Sequence, residues 1–180
     1  MKSLLLVLLL VTGIAQAGEK SGSWGDATAE EAIAELDLML DQVDVATAPI
    51  RSEGDLARHL RDAKDSPLSA LPPAVRARFL GKLVFSRYGL ASYSYLGLDQ
   101  VSITDLHRIL QLFGATGHVV NMPHRKAASP TEASILLAAT LRRQASGLRA
   151  DPVGNHFCVV SGSNSWCQYE YGSNCNDACR

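Results

Sequence analysis

Four cysteines and five histidines are the side chains here with the chemistry to bind metal, form covalent bridges or serve as nucleophiles and bases. All four cysteines, Cys158, Cys167, Cys175 and Cys179, fall in the last stretch, Asn155 to Arg180. Their spacing decides between three chemistries. All-cysteine metal sites draw on pairs about two to four residues apart. Cys175 and Cys179 fit, but eight residues separate Cys158 from Cys167, so no metal ligands are expected. Redox catalysis needs a C-x-x-C pair following a strand, and the sequence has none. Two disulfides are therefore the expectation.

The histidines are dispersed. His59 sits among arginines, His107 lies on a helical stretch, His118 and His124 share a loop without a carboxylate, and His156 stands near Cys158. A cysteine held in a bridge is no nucleophile, so no catalytic pair forms there. There is no glycine-rich phosphate loop, H-E-x-x-H helix or G-x-S-x-G elbow. The expectation is no catalytic residue, no cofactor site and no enzyme.

The same stretch carries Phe157, Trp166, Tyr169 and Tyr171, the candidate partner-contact residues, with only Glu170, Asp177 and Arg180 charged. Trp and Tyr on a small rigid scaffold make good contact anchors. Phe157–Val160 and Trp166–Tyr171 are β-prone runs flanking SGSNS, which predicts a hairpin. A five-residue loop places Cys158 and Cys167 on opposite faces, so both must reach onward to Cys175 and Cys179. A four-residue loop sets Cys158 opposite Cys167 and makes a cross-strand bridge feasible. The two long-range bridges are preferred, because a Cys175–Cys179 bridge would close a very short loop.

The elements that must position this stretch lie upstream. Lys2, the apolar run Leu4–Val11 and Ala15-Gln16-Ala17 form a signal-peptide pattern with cleavage expected after Ala17. That run is too short to span a bilayer, and the net charge of −1 speaks against a nucleic-acid binder with a broad basic face. Thr28 with Glu31 opens a helix whose Ile33, Leu36, Met39, Leu40 and Val43 form an apolar stripe. From Glu19 to Asp44 there are eight acids and one base; from Arg51 to Arg87, eight bases and four acids, so the acidic flank is expected to be solvated or to face that basic segment. Further helices are predicted over 53–64, 73–87 and 102–113, with 90–96 a short extended piece. A fifth opens at Ser129, Pro130 and Glu132, where cap, first-turn proline and capping-box acid coincide. It is apolar nearly all round from Ile135 to Leu141, as befits a central helix. Asp151-Pro152-Val153-Gly154 reads as a hinge.

The fold expected is mainly α: a compact bundle of about five helices followed by a small disulfide-tied C-terminal tail, a β-hairpin. The divisions are signal peptide 1–17, helical domain 18–150 and cysteine-containing tail 151–180, the body needing no thiol chemistry of its own. The layout resembles that of secreted peptide precursors, bacteriocin-type ones included. The resemblance is one of layout; no motif names a family and no residue role is carried over. The expected protein is secreted or periplasmic, handled by the export machinery and signal peptidase, and binds a protein partner through its tail. It is expected to bind no nucleic acid and to insert stably in no membrane. The alternative is a periplasmic helical binding or structural module whose tail is only a clip. In either case thiol labelling of the non-reduced, denatured protein should find no free cysteine; more than one labelled thiol per chain would refute the paired framework.

Overall fold

The computed structural model describes residues 29–122, 126–145 and 153–179. The signal-peptide pattern, Thr28, His124, Arg149 and the Asp151-Pro152 half of the expected hinge lie outside the described residues, whereas Val153 and Gly154 are paired in a strand, not a hinge. Five helices are present: α1 (Ala29–Thr47), α2 (Glu53–Asp62), α3 (Pro73–Gly81), α4 (Ile103–Gln111) and α5 (Pro130–Ala145). Their starts follow local chemistry. Ser52 accepts from Asp55 N at 3.1 Å and Ser102 from Asp105 N at 3.0 Å, each side chain also donating back to the aspartate. Glu132 does more than cap its own helix. One carboxylate oxygen accepts from Ala128 N (2.7 Å) and the other from Ile103 N (3.0 Å), so a single buried acid satisfies the starts of both α5 and α4.

The expectation of a mainly α bundle with a small tail is overturned. A four-stranded antiparallel sheet runs through the molecule, formed by β1 (Val84–Ser86), β2 (Gly89–Ser94), β3 (Val153–Ser161) and β4 (Asn164–Cys175), in the order β1-β2-β4-β3. The C-terminal strands supply half of it. The helix expected over 73–87 stops at Gly81, and Val84 and Phe85, β-branched and aromatic, pair with β2 instead. Gly89 takes φ +112° at the start of β2.

β2 is buried along its whole length. On the helical side Tyr93, Phe79 and Phe113 stack edge to face, with centroids 5.9 and 5.7 Å apart. Leu106, Ile109 and Leu110 of α4 and Phe113 just beyond it are all buried in that core. Ala91 of β2 packs instead against Cys158, Cys175 and Cys179. The tail is thus a structural layer, and β4 pairs with β2 through Ser92–Cys175, Tyr93–Asn174 and Ser94–Ser173.

Two helices sit differently from their sequence patterns. Leu36, Met39, Leu40 and Val43 of α1 are exposed, and so are Leu137 and Leu141 of α5, so α5 is a surface helix with only part of its apolar girth inward. Asp44 does not pair with the basic 51–87 segment. It receives Arg142 Nη1 from α5 at 2.7 Å and the Thr116 hydroxyl, which tie the end of α1 to the body. Gly114 permits that approach, since a Cβ there would stand 2.7 Å from the Asp44 carbonyl oxygen.

The β3–β4 hairpin is sharply bent. Gly154 pairs with Asn174 and His156 with Tyr169, so residues 170–173 bulge opposite Asn155 alone. Asn155 adopts φ +60° and Gly172 φ +80°. Asn155 Oδ1 accepts both the Gly172 amide (3.1 Å) and the Tyr95 hydroxyl, locking the corner. A Cβ on Gly172 would fall 2.3 Å from Leu96 Cγ in a left-handed backbone. Gly162, at φ +60° in the hairpin turn, faces open space. Gly172→Ala should therefore cost at least about 2 kcal/mol in denaturant unfolding, and Gly162→Ala only about 1 kcal/mol. Equal losses at the two positions would refute the corner as the tight constraint.

Candidate functional site

The bend determines the bridges. Cys158 bonds Cys179 (S–S 2.03 Å) and Cys167 bonds Cys175 (S–S 2.04 Å), with Cα separations of 5.6 and 5.9 Å. No cysteine is free. The preferred long-range pairing is the one present, but the register is that of the shorter loop: Val160 faces Ser165 and Cys158 faces Cys167. The opposed pair nevertheless does not bond. Folding β4 back at residues 170–173 carries Cys175 to Cys167, and the short 3₁₀ turn Asp177–Cys179 carries Cys179 to Cys158.

Two buried serines of β2 hold this hairpin. Ser92 Oγ accepts the Cys158 amide (3.1 Å) and Ser94 Oγ donates to the Gly172 carbonyl (3.1 Å). Neither serine stood out among the sequence candidates. The signal was there in Ser92 and Ser94 at i, i+2 within a β-prone run, which places both hydroxyls on one face of a strand.

Of the four aromatic candidates, Trp166, Tyr169 and Tyr171 are 47%, 68% and 69% exposed, the first two on the paired distal arm and Tyr171 in the bulge. Phe157 is partly buried, and the Lys82 ammonium lies 5.3 Å above its ring. Lys82 also pairs with Glu170 at 2.8 Å, an exposed bridge of little energetic weight that spans helix end and hairpin. His156 stacks edge-on against Tyr169 and its Nδ1 bonds the Gly154 carbonyl oxygen. Val160 adds apolar surface nearby at 51% exposure.

Beside the hairpin a cleft of about 540 Å³ opens where β2 ends. Tyr95 and Tyr171 stand in its wall with Met122, Asp99, Lys126 and Glu132. The Glu132 carboxylate is committed to two backbone amides there and Tyr95 to Asn155. Among the described residues, Asp99 and Lys126 are the cleft's remaining charged groups. Among the described residues no helix is long and apolar enough to cross a membrane.

Three further histidines fall among the described residues. His59 Nε2 bonds Ser66 Oγ at 2.8 Å, and burial lowers the pKa of half-buried His107. His118, partly buried, joins a polar cluster at the edge of the core. Its Nδ1 lies 3.2 Å from the Tyr93 hydroxyl and 3.3 Å from Asn174 Nδ2, while Asn174 Nδ2 also donates to Tyr93 Oη at 3.2 Å. With the Asn174 NH₂ turned toward it, Nδ1 accepts and the ring proton sits on Nε2. Burial holds the Tyr93 phenol well above its ordinary value and pushes His118 down to about 4.

Because the folded value lies below the ordinary 6.5, the unfolded chain binds the proton first as pH falls. The neutral ring therefore supports stability fully above about pH 6.5, and that support declines toward pH 4. The loss is at most about 3 kcal/mol. Urea midpoints across that window should fall more steeply for the wild type than for His118→Gln; parallel curves would remove the histidine from the acid response.

Comparison of the chain with protein-family models, curated proteins and solved structures found no match, so the site is interpreted from its own geometry.

Proposed function

We propose that this protein is exported to a secreted or periplasmic location, after processing by signal peptidase, and binds a protein partner without catalysing a reaction. One observation carries the reading. Trp166, Tyr169 and Tyr171 are exposed on a hairpin arm fixed by two disulfides and by buried hydrogen bonds to β2. A large aromatic side chain costs little conformational entropy to hold in place, and still less on a stapled arm. Such residues are disproportionately the anchors of protein interfaces.

The arm also favours one class of partner. Its sole described acid, Glu170, is already paired with Lys82, so the aromatic surface is close to neutral. It suits an apolar protein surface with hydrogen-bonding groups at its rim. A phosphate backbone or anionic lipid calls for lysine and arginine, which the arm lacks. Disulfides suit an oxidising compartment, consistent with export.

A second reading draws on the buried part of the same strand. Gly172 to Cys175 are enclosed, as a clip would be. The body would then be the active part, with the cleft between Tyr95 and Tyr171 holding a small ligand.

The test is capture from the extracellular or periplasmic fraction of the source cells, with the wild type and a Trp166→Ala/Tyr169→Ala/Tyr171→Ala variant in parallel. A protein retained by the wild type should bind the variant at least about tenfold more weakly, with the variant's melting temperature little changed. Equal affinity of both forms would sink the aromatic-arm reading. Loss of function confined to cleft variants such as Asp99→Asn would favour the second.

A further inference from the structure

The two bridges form one cluster. The sulfurs of Cys158, Cys175 and Cys179 are buried and lie within 4.8 Å of one another. The fourth sulfur, of Cys167, is bonded to that of Cys175 at 2.04 Å. Sequence spacing spoke against a metal site because Cys158 and Cys167 are far apart along the chain. The hairpin register removes that objection, since directly opposed residues project from one face with Cβ atoms about 5 Å apart. Cys175 and Cys179 flank a 3₁₀ turn closed by the Cys179 amide on the Asn176 carbonyl oxygen (2.9 Å), at a separation that metal-binding pairs use.

We propose that the reduced chain gathers these four cysteines around a single thiophilic dication of the zinc class. A tetrahedral ion about 2.3 Å from each thiolate spaces its sulfurs about 3.8 Å apart. The Cys175 sulfur already lies within 4.8 Å of both sulfurs of the other bridge. The hydrophobic side chains packed around them are Ala91, Val84 and Ala178, and the ligand atoms that the cluster gathers are cysteine sulfurs. Such a set selects zinc, cadmium or cuprous copper over calcium and magnesium. The hairpin thereby has two alternative staples, disulfides under oxidising conditions and a metal ion under reducing ones. This proposal does not depend on the partner reading above.

The route between the two states is balanced. Cys167 is the member of the cluster with partial exposure. A small dithiol attacks its Sγ and Cys175 leaves as thiolate; the second thiol of the reductant then releases Cys167 and closes the reductant to its own cyclic disulfide. The freed Cys175 thiolate stands within 4.8 Å of both sulfurs of the second bridge and opens it by exchange. A second dithiol reduces the bridge so formed. Two dithiols have then been oxidised and four cysteine thiols produced. One dication displaces four protons to solvent, leaving a tetrathiolate of net charge −2.

Full-length protein, reduced with dithiol under argon and desalted, would be titrated with Co²⁺ as the spectroscopic probe. The expected result is saturation at one ion per chain, with sulfur-to-cobalt charge-transfer absorption and strong visible bands of tetrahedral coordination. Zinc should displace the cobalt. Cys158→Ser and Cys179→Ser should each weaken binding at least about tenfold, and amide protection over 153–179 should return when metal is added to the reduced chain. Four outcomes would overturn the proposal: no saturable binding, an octahedral spectrum, affinity unchanged in Cys158→Ser, or equal affinity in the urea-unfolded chain, which would mean thiol chelation without a folded site.

Discussion

The molecule depends on one strand turning back on itself. Cys167 and Cys175 lie on the same strand, eight residues apart, yet their Cα atoms are 5.9 Å from each other. A straight strand would place them roughly 26 Å apart at about 3.3 Å per residue. The excess is taken up by the bulge at 170–173, which needs a left-handed glycine, an asparagine at positive φ and the Asn155 bonds across the corner. Without that corner neither bridge reaches its partner. In the chain-entropy model two loops of this size contribute roughly 2.5 and 3.4 kcal/mol by restricting the unfolded chain. Their sum is comparable to the whole net stability of a marginal domain.

The corner also unites parts of the structure that the chain order separates. Its inner arm, Gly172 to Cys175, is enclosed and pairs with β2, while its outer arm carries the exposed aromatics. One strand therefore acts as core element at one end and presenting surface at the other. Tyr93 is where the two meet, touching Phe79 on the helical side and Asn174 on the hairpin side. The Asn174 amide and the Tyr93 hydroxyl bond across that junction, which ties the geometry of the hairpin to the packing of the helices.

What was legible in the sequence follows the range of the forces involved. The helix starts were readable because Ser52 with Asp55, Ser102 with Asp105, and Ser129 with Glu132 act within a single turn. The long-range bridges followed from the poor return of a short Cys175–Cys179 loop. The sheet was not readable, because its decisive pairing joins Ser92–Ser94 to residues some eighty positions later, and no local pattern reports a partner so distant. β1 spans three residues and looks like the end of the preceding helix. The stripes on α1 and α5 misled for a different reason. Helical periodicity establishes that an apolar face exists, not that the fold covers it, and Leu36, Val43, Leu137 and Leu141 remain in water. At the candidate site the residue types were found from sequence. Their grouping was not, since the clustering of four sulfurs is a product of the bend.

That dependence changes the meaning of the cysteine-rich end. A tail tied only to itself could loosen without consequence for a self-sufficient helical body. Here Ser173 and Asn174 are buried against β2, Ser92 holds the Cys158 amide, and Ala91 packs on three of the cysteines. Loosening the hairpin removes one neighbour of β2 along its paired length and leaves Tyr93 and two buried serine hydroxyls short of partners. Each unsatisfied buried polar group costs about 1–3 kcal/mol. The thiol chemistry at the end of the chain therefore reaches the aromatic core through β2. Whatever holds the four sulfurs together also sets how rigidly Trp166 and Tyr169 are offered to solvent.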